Sequence, residues 1–199
     1  MGKNTNLRFE MIKQHNKAEF EKAVAEKKAD KLIIPLCSFI NSLPEFFSSS
    51  SCAGRIMLLK TDAKESKREA AFHAKWHRKV KQPELMREIG KKTGSPELWL
   101  KQEPFILHLG TNNLANANRL LQCCRKAGIK RAGIMVAEEE KFILEIIGTQ
   151  NLALPVKKKN NILAEEKYLK FVLEKANAKL ERNYALLKKF EKTLKQELE

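Results

Sequence analysis

RIMLLKTDAKESKREAAFHAKWHR, residues 55–78, reads as a β-hairpin, and that reading decides the fold class. RIMLLK, 55–60, is a strand candidate, and TDAKESKRE, 61–69, is a polar connection. The second arm alternates: Phe72, Ala74 and Trp76 fall on one face, His73, Lys75 and His77 on the other. Strict alternation is the mark of a half-buried strand. Pairing 55–60 with 70–78 starts a sheet, and helices elsewhere must cover it.

Moving downstream, QPELMREIGKK reads as a helix starting after Pro83. ELWLKQ and PFILHLG read as two strands, with Pro104 marking the break between them. NNLANANRLLQCCRKAG, 112–128, is a helix with Asn112 or Asn113 as N-cap and Gly128 just past its end. RAGIMVAE and KFILEIIG follow as strands joined by a tight charged turn.

Upstream, residues 6–29 form a helix in which Phe9, Ile12, Phe20 and Val24 recur at helical spacing. LIIPLCSFINSL, 32–43, is a second helix with Pro35 in its first turn. SSSSCAG, 48–54, is a loop by composition. From Ile162 to the end there is neither Gly nor Pro, and Leu173, Leu180, Leu187 and Leu194 repeat every seven residues. Leu169, Ala176, Asn183 and Phe190 complete an a/d seam. One amphipathic helix packed along the N-terminal helix is preferred to an intermolecular coiled coil. The expectation is an α+β fold with a mixed or antiparallel sheet covered by helices. It forms one domain over 1–199, with 162–199 a long C-terminal helix of the same fold.

Charge points to a partner. The 199 residues hold 39 Lys and Arg against 24 Asp and Glu, a net charge of +15. Such an excess suits a polyanion, most simply nucleic acid. No apolar run approaches the roughly 18 residues of a membrane span. The N-terminal stretch lacks a signal peptide's apolar segment. Eight Gly and four Cys exclude collagen-like and disulfide-scaffold classes. Cys37, Cys52, Cys123 and Cys124 form no CxxC, so reduced thiols in the cytoplasm are expected, with no membrane partner.

Few stretches carry chemistry. His73 and His77 would be one helical turn apart, but position 74 lacks the Glu of a HExxH site, and no metal site is expected. Neither a P-loop nor GxGxxG occurs. HLGTNN, 108–113, runs from strand through Gly to a helix start, where backbone N–H groups suit a carboxylate or phosphate; an ordinary β–α turn is the alternative. In SSSSCAGR the small residues allow close backbone approach, and Arg55 can form a bidentate pair with an anion; a flexible Ser-rich turn is the alternative. His77 can serve as a base near neutral pH or stand as a surface histidine.

SSSSCAGRI, Phe72 with His77, EPFILHL, AGIKRAGI and EEKYLKFVLEKANAKLERN together resemble the wybutosine-synthesising family, in the archaeal type of its third-step enzyme. The resemblance covers about residues 30–195. It implies transfer of methyl from S-adenosylmethionine to N4 of a 7-aminocarboxypropyl-4-demethylwyosine-type base. That tricyclic base lies 3′ of the anticodon in phenylalanine tRNA.

Ser50, Ser51, Cys52, Gly54 and Arg55 sit on the family's S-S-C-x-G-R. His77, Pro104, His108, Gly128, Gly133, Asn177 and Asn183 also match. Ala53 and Ala132 depart, each where a serine is common. The implied catalytic set is Ser51, Cys52, Arg55 and His77; the cofactor set is Ser50, His108, Gly110, Thr111 and Gly133. A protruding base needs a face to stack on, for which Trp76, Trp99 and Arg55 are candidates. The expected partner is phenylalanine tRNA, and a monomer is preferred to a dimer. A non-enzymatic basic RNA-binding protein explains the charge and the long helix, but not SSC-x-GR beside a paired histidine. An oligomerising scaffold explains the heptads alone.

Overall fold

A computed structural model describes residues 7–62 and 70–199. Residue 6, where the first helix is expected to start, and most of the connection 61–69 lie outside them. In chain order the elements are α1 (Leu7–Ala25), α2 (Ile34–Ser42), β1 (Phe46–Cys52), β2 (Arg55–Thr61), β3 (Ala71–Trp76), α3 (Gln82–Gly90) and β4 (Glu97–Glu103). There follow β5 (Ile106–Thr111), α4 (Leu114–Ala127), β6 (Arg131–Glu138), β7 (Lys141–Ile147), β8 (Leu152–Lys158), β9 (Asn161–Ile162) and α5 (Glu166–Leu198). Every strand pair among the described residues is antiparallel. The fold is α+β, as the sequence implied. No helix among the described residues is long and apolar enough to cross a membrane.

The chain divides into two units. The first takes the described residues up to Ala53, then Phe105–Thr149 and Tyr184–Glu199; the second takes those of Gly54–Pro104 and then Gln150–Asn183.

The first unit holds a sheet of order β1-β5-β7-β6. Its strands alternate, so Leu107 and Leu109 of β5 and Leu144 and Ile146 of β7 face one core. That core also receives Leu36 and Ile40 of α2, Leu120 and Cys124 of α4, and Leu187, Phe190 and Leu194 of α5. Helix α1 packs on β1 and α2. Asn113 caps α4 by accepting from the Asn116 N–H, and Gly128, at φ 88°, ends it in the left-handed conformation. Lys126 and Arg119 of α4 reach Glu197 of α5.

Here the sequence reading needs correction at 48–54. SSSSC is part of β1, not a loop. Serine composition argues for a turn only where the backbone lacks a partner. β1 has one in β5, from Phe46 opposite Thr111 to Cys52 opposite Ile106. The irregularity survives as a bulge between Ser48 and Ser51.

The second unit holds a sheet of order β3-β2-β4-β8-β9. The expected hairpin is present, with Ile56 opposite Trp76 and Lys60 opposite Ala71. Its face assignment is corrected by one residue. Leu58 pairs with Ala74 but Leu59 pairs with Phe72, so His73 bulges out of the ladder. Phe72 therefore leaves the face of Trp76 and is 51% exposed, while Trp76 is 9% exposed. His73 Nε2 turns to the Glu88 carbonyl of α3, 2.9 Å away.

Two further corrections fall on 152–165. The long helix starts at Glu166, not 162, and β8 and β9 precede it. Pro155 disguises β8, since proline breaks a two-sided ladder. It is tolerated because β9 pairs only with Lys157 and Lys158. The buried Lys157 Nζ donates to the carbonyls of Ile89 and Lys91, fastening α3. Asn177 of α5 bonds the Val80 backbone in both directions, and Asn183 Nδ2 donates to the Gln150 carbonyl. These two asparagines hold the helix in place.

Candidate active site

In the first unit the candidate groups Ser50, Ser51 and Cys52 lie at the bulged end of β1. The Ser48 N–H donates to Asn41 Oδ1 and Asn41 Nδ2 donates back to Ser48 Oγ, at 2.7 and 3.0 Å. This exchange locks the strand just before the bulge. A cavity of about 300 Å³ opens beside it, lined by Asn16, Phe20, Lys28, Cys37, Ser50 and Ser51 among others. Ser51 Oγ is buried, with the Cys37 thiol as neighbour. Past the strand end, the Ala53 N–H donates to Asp30 Oδ2 at 2.8 Å. The Asp30 carboxylate and Cys52 thiol come within 4.8 Å of each other. Tyr184 Oη is buried and makes no hydrogen bond among the described residues. Burial, then the negative charge of Asp30 and of Cys52, pushes its phenol up to about 12.

A second group lies on the β5-β7-β6 face opposite the core. His108 of β5, Glu145 of β7 and Gly133 of β6 are successive partners in one row of the ladder. His108 Nε2 stands 3.3 Å from Glu145 Oε2. No described residue lies within 4 Å of a Cβ built at Gly133. The surface above forms a recess of about 420 Å³, whose lining includes Lys130, Arg131, Gly133, Met135 and Glu145. Gly110 and Thr111 do not join this group. The Phe47 ring covers Gly110. Thr111 is fully buried, and its hydroxyl donates to the Glu45 carbonyl at 2.8 Å. The HLGTNN turn thus serves packing and the α4 cap.

In the second unit, Arg55 begins β2 and meets Glu103 of β4 across the ladder. Its Nε and Nη2 lie 2.9 and 2.8 Å from Glu103 Oε2. Its guanidinium also stands 5.0 Å from the Phe72 ring centre. His77 follows Trp76, the partner of Ile56, so Arg55 and His77 flank the same end of the hairpin. Of the proposed stacking residues, Trp76 is buried and Trp99 only half so.

Three residues near these groups were missed from sequence: Asp30, Glu145 and Tyr184. Glu145 left a signal, as an acidic residue inside the apolar strand KFILEIIG. Asp30 sits in the charged run KKADK, and Tyr184 follows a heptad position; neither offers a motif.

Among the described residues, hydroxyls, a thiol and the Asp30 carboxylate thus meet at one strand end of an α+β fold. Residues 8–196 match the family model described as Methyltransferase TYW3, and the chain belongs to that methyltransferase family. Two relatives are named tRNA(Phe) 7-((3-amino-3-carboxypropyl)-4-demethylwyosine(37)-N(4))-methyltransferase 1. The one from Pyrococcus furiosus is 34% identical over 94% of this chain and 94% of its own. The one from Thermococcus kodakarensis is 32% identical over 94% of this chain and 93% of its own. Among solved structures, the PH1069 protein from Pyrococcus horikoshii superposes with a TM-score of 0.88 at 32% identity, covering 94% of this chain and 96% of that one. A hypothetical protein from Aeropyrum pernix gives 0.72 at 27% identity, covering 84% and 98%. The family resemblance read from SSSSCAGRI, His77 and the C-terminal helix is borne out.

Proposed function

We propose that this protein transfers a methyl group from S-adenosylmethionine to N4 of the 7-aminocarboxypropyl-4-demethylwyosine-type base beside the anticodon of phenylalanine tRNA. The observation that carries the reading is end-to-end relation to enzymes bearing that name, over 94% of this chain. Both units serve as one methyltransferase domain in this reading.

The residues fit such a cofactor by the chemistry of their donors and acceptors. S-adenosylmethionine presents an ammonium, a carboxylate, a ribose diol and a purine. The first unit offers carboxylates at Asp30 and Glu145, hydroxyls at Ser50 and Ser51, and the unpartnered Tyr184 hydroxyl. Ser50, His108 and Gly133 would hold the cofactor, with Glu145 fixing the His108 ring. Gly110 and Thr111 would support that strand from behind. Bound there, the cofactor supplies an electrophilic methyl on a sulfonium.

The remaining tasks fall to side chains. The reacting nitrogen must present its lone pair in line with the methyl, which is a matter of positioning. Arg55 would fix the carboxylate of the base's amino-acid side chain, because a planar guanidinium orients an anion that a point charge would not. His77 would take the N–H proton, or hold the base. Ser51 and Cys52 would line the approach, with no covalent intermediate. The cysteines carry no disulfide, as suits a reducing cytoplasm, and a monomer suffices for this chemistry.

The test is mass spectrometry of nucleosides after incubation with S-adenosylmethionine and tRNA carrying the demethyl base. The expected product is heavier by one methylene. Tight binding of that tRNA without methylation would leave the non-enzymatic RNA-binding reading in its place.

A further inference from the structure

The second unit's sheet has one face packed under helices and one face that carries a different chemistry. The ladder settles which residues share it. Phe72, Leu59 and Trp99 lie in one row across β3, β2 and β4. Lys75, Met57 and Lys101 form the next row on the same face. Arg55 stands at the following position of β2.

Every ring on this face has a cation against it. Arg55 and Lys75 stand 5.0 and 5.1 Å from the Phe72 centroid, and Lys101 5.6 Å from that of Trp99. Phe72 is 51% exposed, so its ring is open to solvent on this face. The Trp99 indole N–H is satisfied by Glu97, at 3.0 Å, so its ring is held in place without a partner molecule. Met57, the ladder partner of Lys75 and Lys101, is only 2% exposed.

From this we infer that the face is a stacking platform for unpaired nucleotides of an RNA loop. Resting on the tRNA reading above, it names where that substrate's single-stranded loop is held. Single-stranded nucleic acid is bound by aromatic rings on a sheet beside cations that track the phosphates. Charge complementarity selects this occupant: three cations interleaved with two rings suit a chain that alternates flat bases with phosphates. A base entering over Phe72 takes the ring face that Lys75 covers. The flexible ammonium stem swings aside and pairs with a neighbouring phosphate. The His73 bulge creates the site, because without it Phe72 would face the core side with Trp76.

The experiment compares binding of an unmodified anticodon-type RNA hairpin with that of a fully paired RNA duplex of equal length. Phe72→Ala should weaken hairpin binding on the order of tenfold, as loss of one stacked base does, and leave duplex binding unchanged. Phe72→Tyr should restore it. In a Trp76→Phe background, hairpin but not duplex should quench the Trp99 fluorescence. The wild type binding the hairpin tightly, with Phe72→Ala and Lys75→Ala binding equally well, overturns the platform and leaves the tRNA reading standing. A wild type that binds neither the hairpin nor whole tRNA overturns both.

Discussion

The ring of Phe47 occupies the space above Gly110, its ladder partner on β5, and a Cβ at 110 would overlap the Phe47 ring. Phe47 is fully buried and packs on Phe9 of α1, with ring centres 5.8 Å apart, so it cannot retreat. Gly110→Ala should therefore overpack the sheet and cost about 1–3 kcal/mol. Thermal unfolding measures this. Combining it with Phe47→Leu should recover part of the loss, and a melting temperature equal to wild type would refute the close approach.

Leu180 sits on α5 in the second unit and is fully buried. Leu180→Ala should cost roughly 2–5 kcal/mol, as a cavity at such a site does. Urea unfolding should show a lower midpoint with an unchanged slope.

A net charge of +15 implies that tRNA binding releases counterions. The log of the association constant should fall linearly with log salt, with a slope of several units. Lys75→Ala should lower that slope by about one. A flat dependence would remove phosphate contacts from the interaction.

Burial pushes the Cys37 thiol from 9.0 up to about 11, and burial with the nearby Cys123 pushes Cys124 up to about 12. Both folded values lie above the unfolded ones, so the folded state keeps protons that the unfolded state loses. Stability is then fully present below about pH 9 and declines from there towards 11–12. Cys124→Ala should flatten part of that decline in a series of unfolding curves. At pH 8, Cys52 should react with a thiol reagent first, since the other three are buried.

For the reaction, Arg55→Ala should reduce turnover about a hundredfold or more, the scale of a misplaced reacting pair. His77→Ala should cost about 10²–10⁴ if the ring takes the proton. Cys52→Ser should be mild, because nitrogen methylation needs no thiol adduct. Single-turnover mass spectrometry separates these, and a Cys52→Ser loss matching that of Arg55→Ala would contradict the assigned roles.

The sequence was most readable where a local rule and the tertiary structure agree. The Asn113 cap, the Gly128 stop, the ELWLKQ strand and the paired 55–60 and 70–78 arms are of this kind. It misled where an unseen partner decides. Ser48–Cys52 is a strand only because β5 lies alongside, and Pro155 is tolerated only because β9 is so short. A one-residue bulge at His73 has no compositional mark, yet it turns Phe72 out of the face it would share with Trp76. The candidate site suffered likewise. SSC-x-GR and His77 stood out as residue types, whereas Asp30 and Tyr184 gain their meaning from approaching β1 in space.

Each unit is stitched from separate stretches of chain, and this bears on synthesis. The core of the first unit needs Leu187, Phe190, Leu194 and Leu198, the last side chains to be made among its contributors. Until they emerge from the ribosome, Leu107, Leu109, Leu144 and Ile146 have an incomplete covering. A nascent chain in that condition exposes apolar strands until its C-terminal helix is made, so a stop codon placed before Leu187 should yield an aggregating fragment rather than a smaller working enzyme.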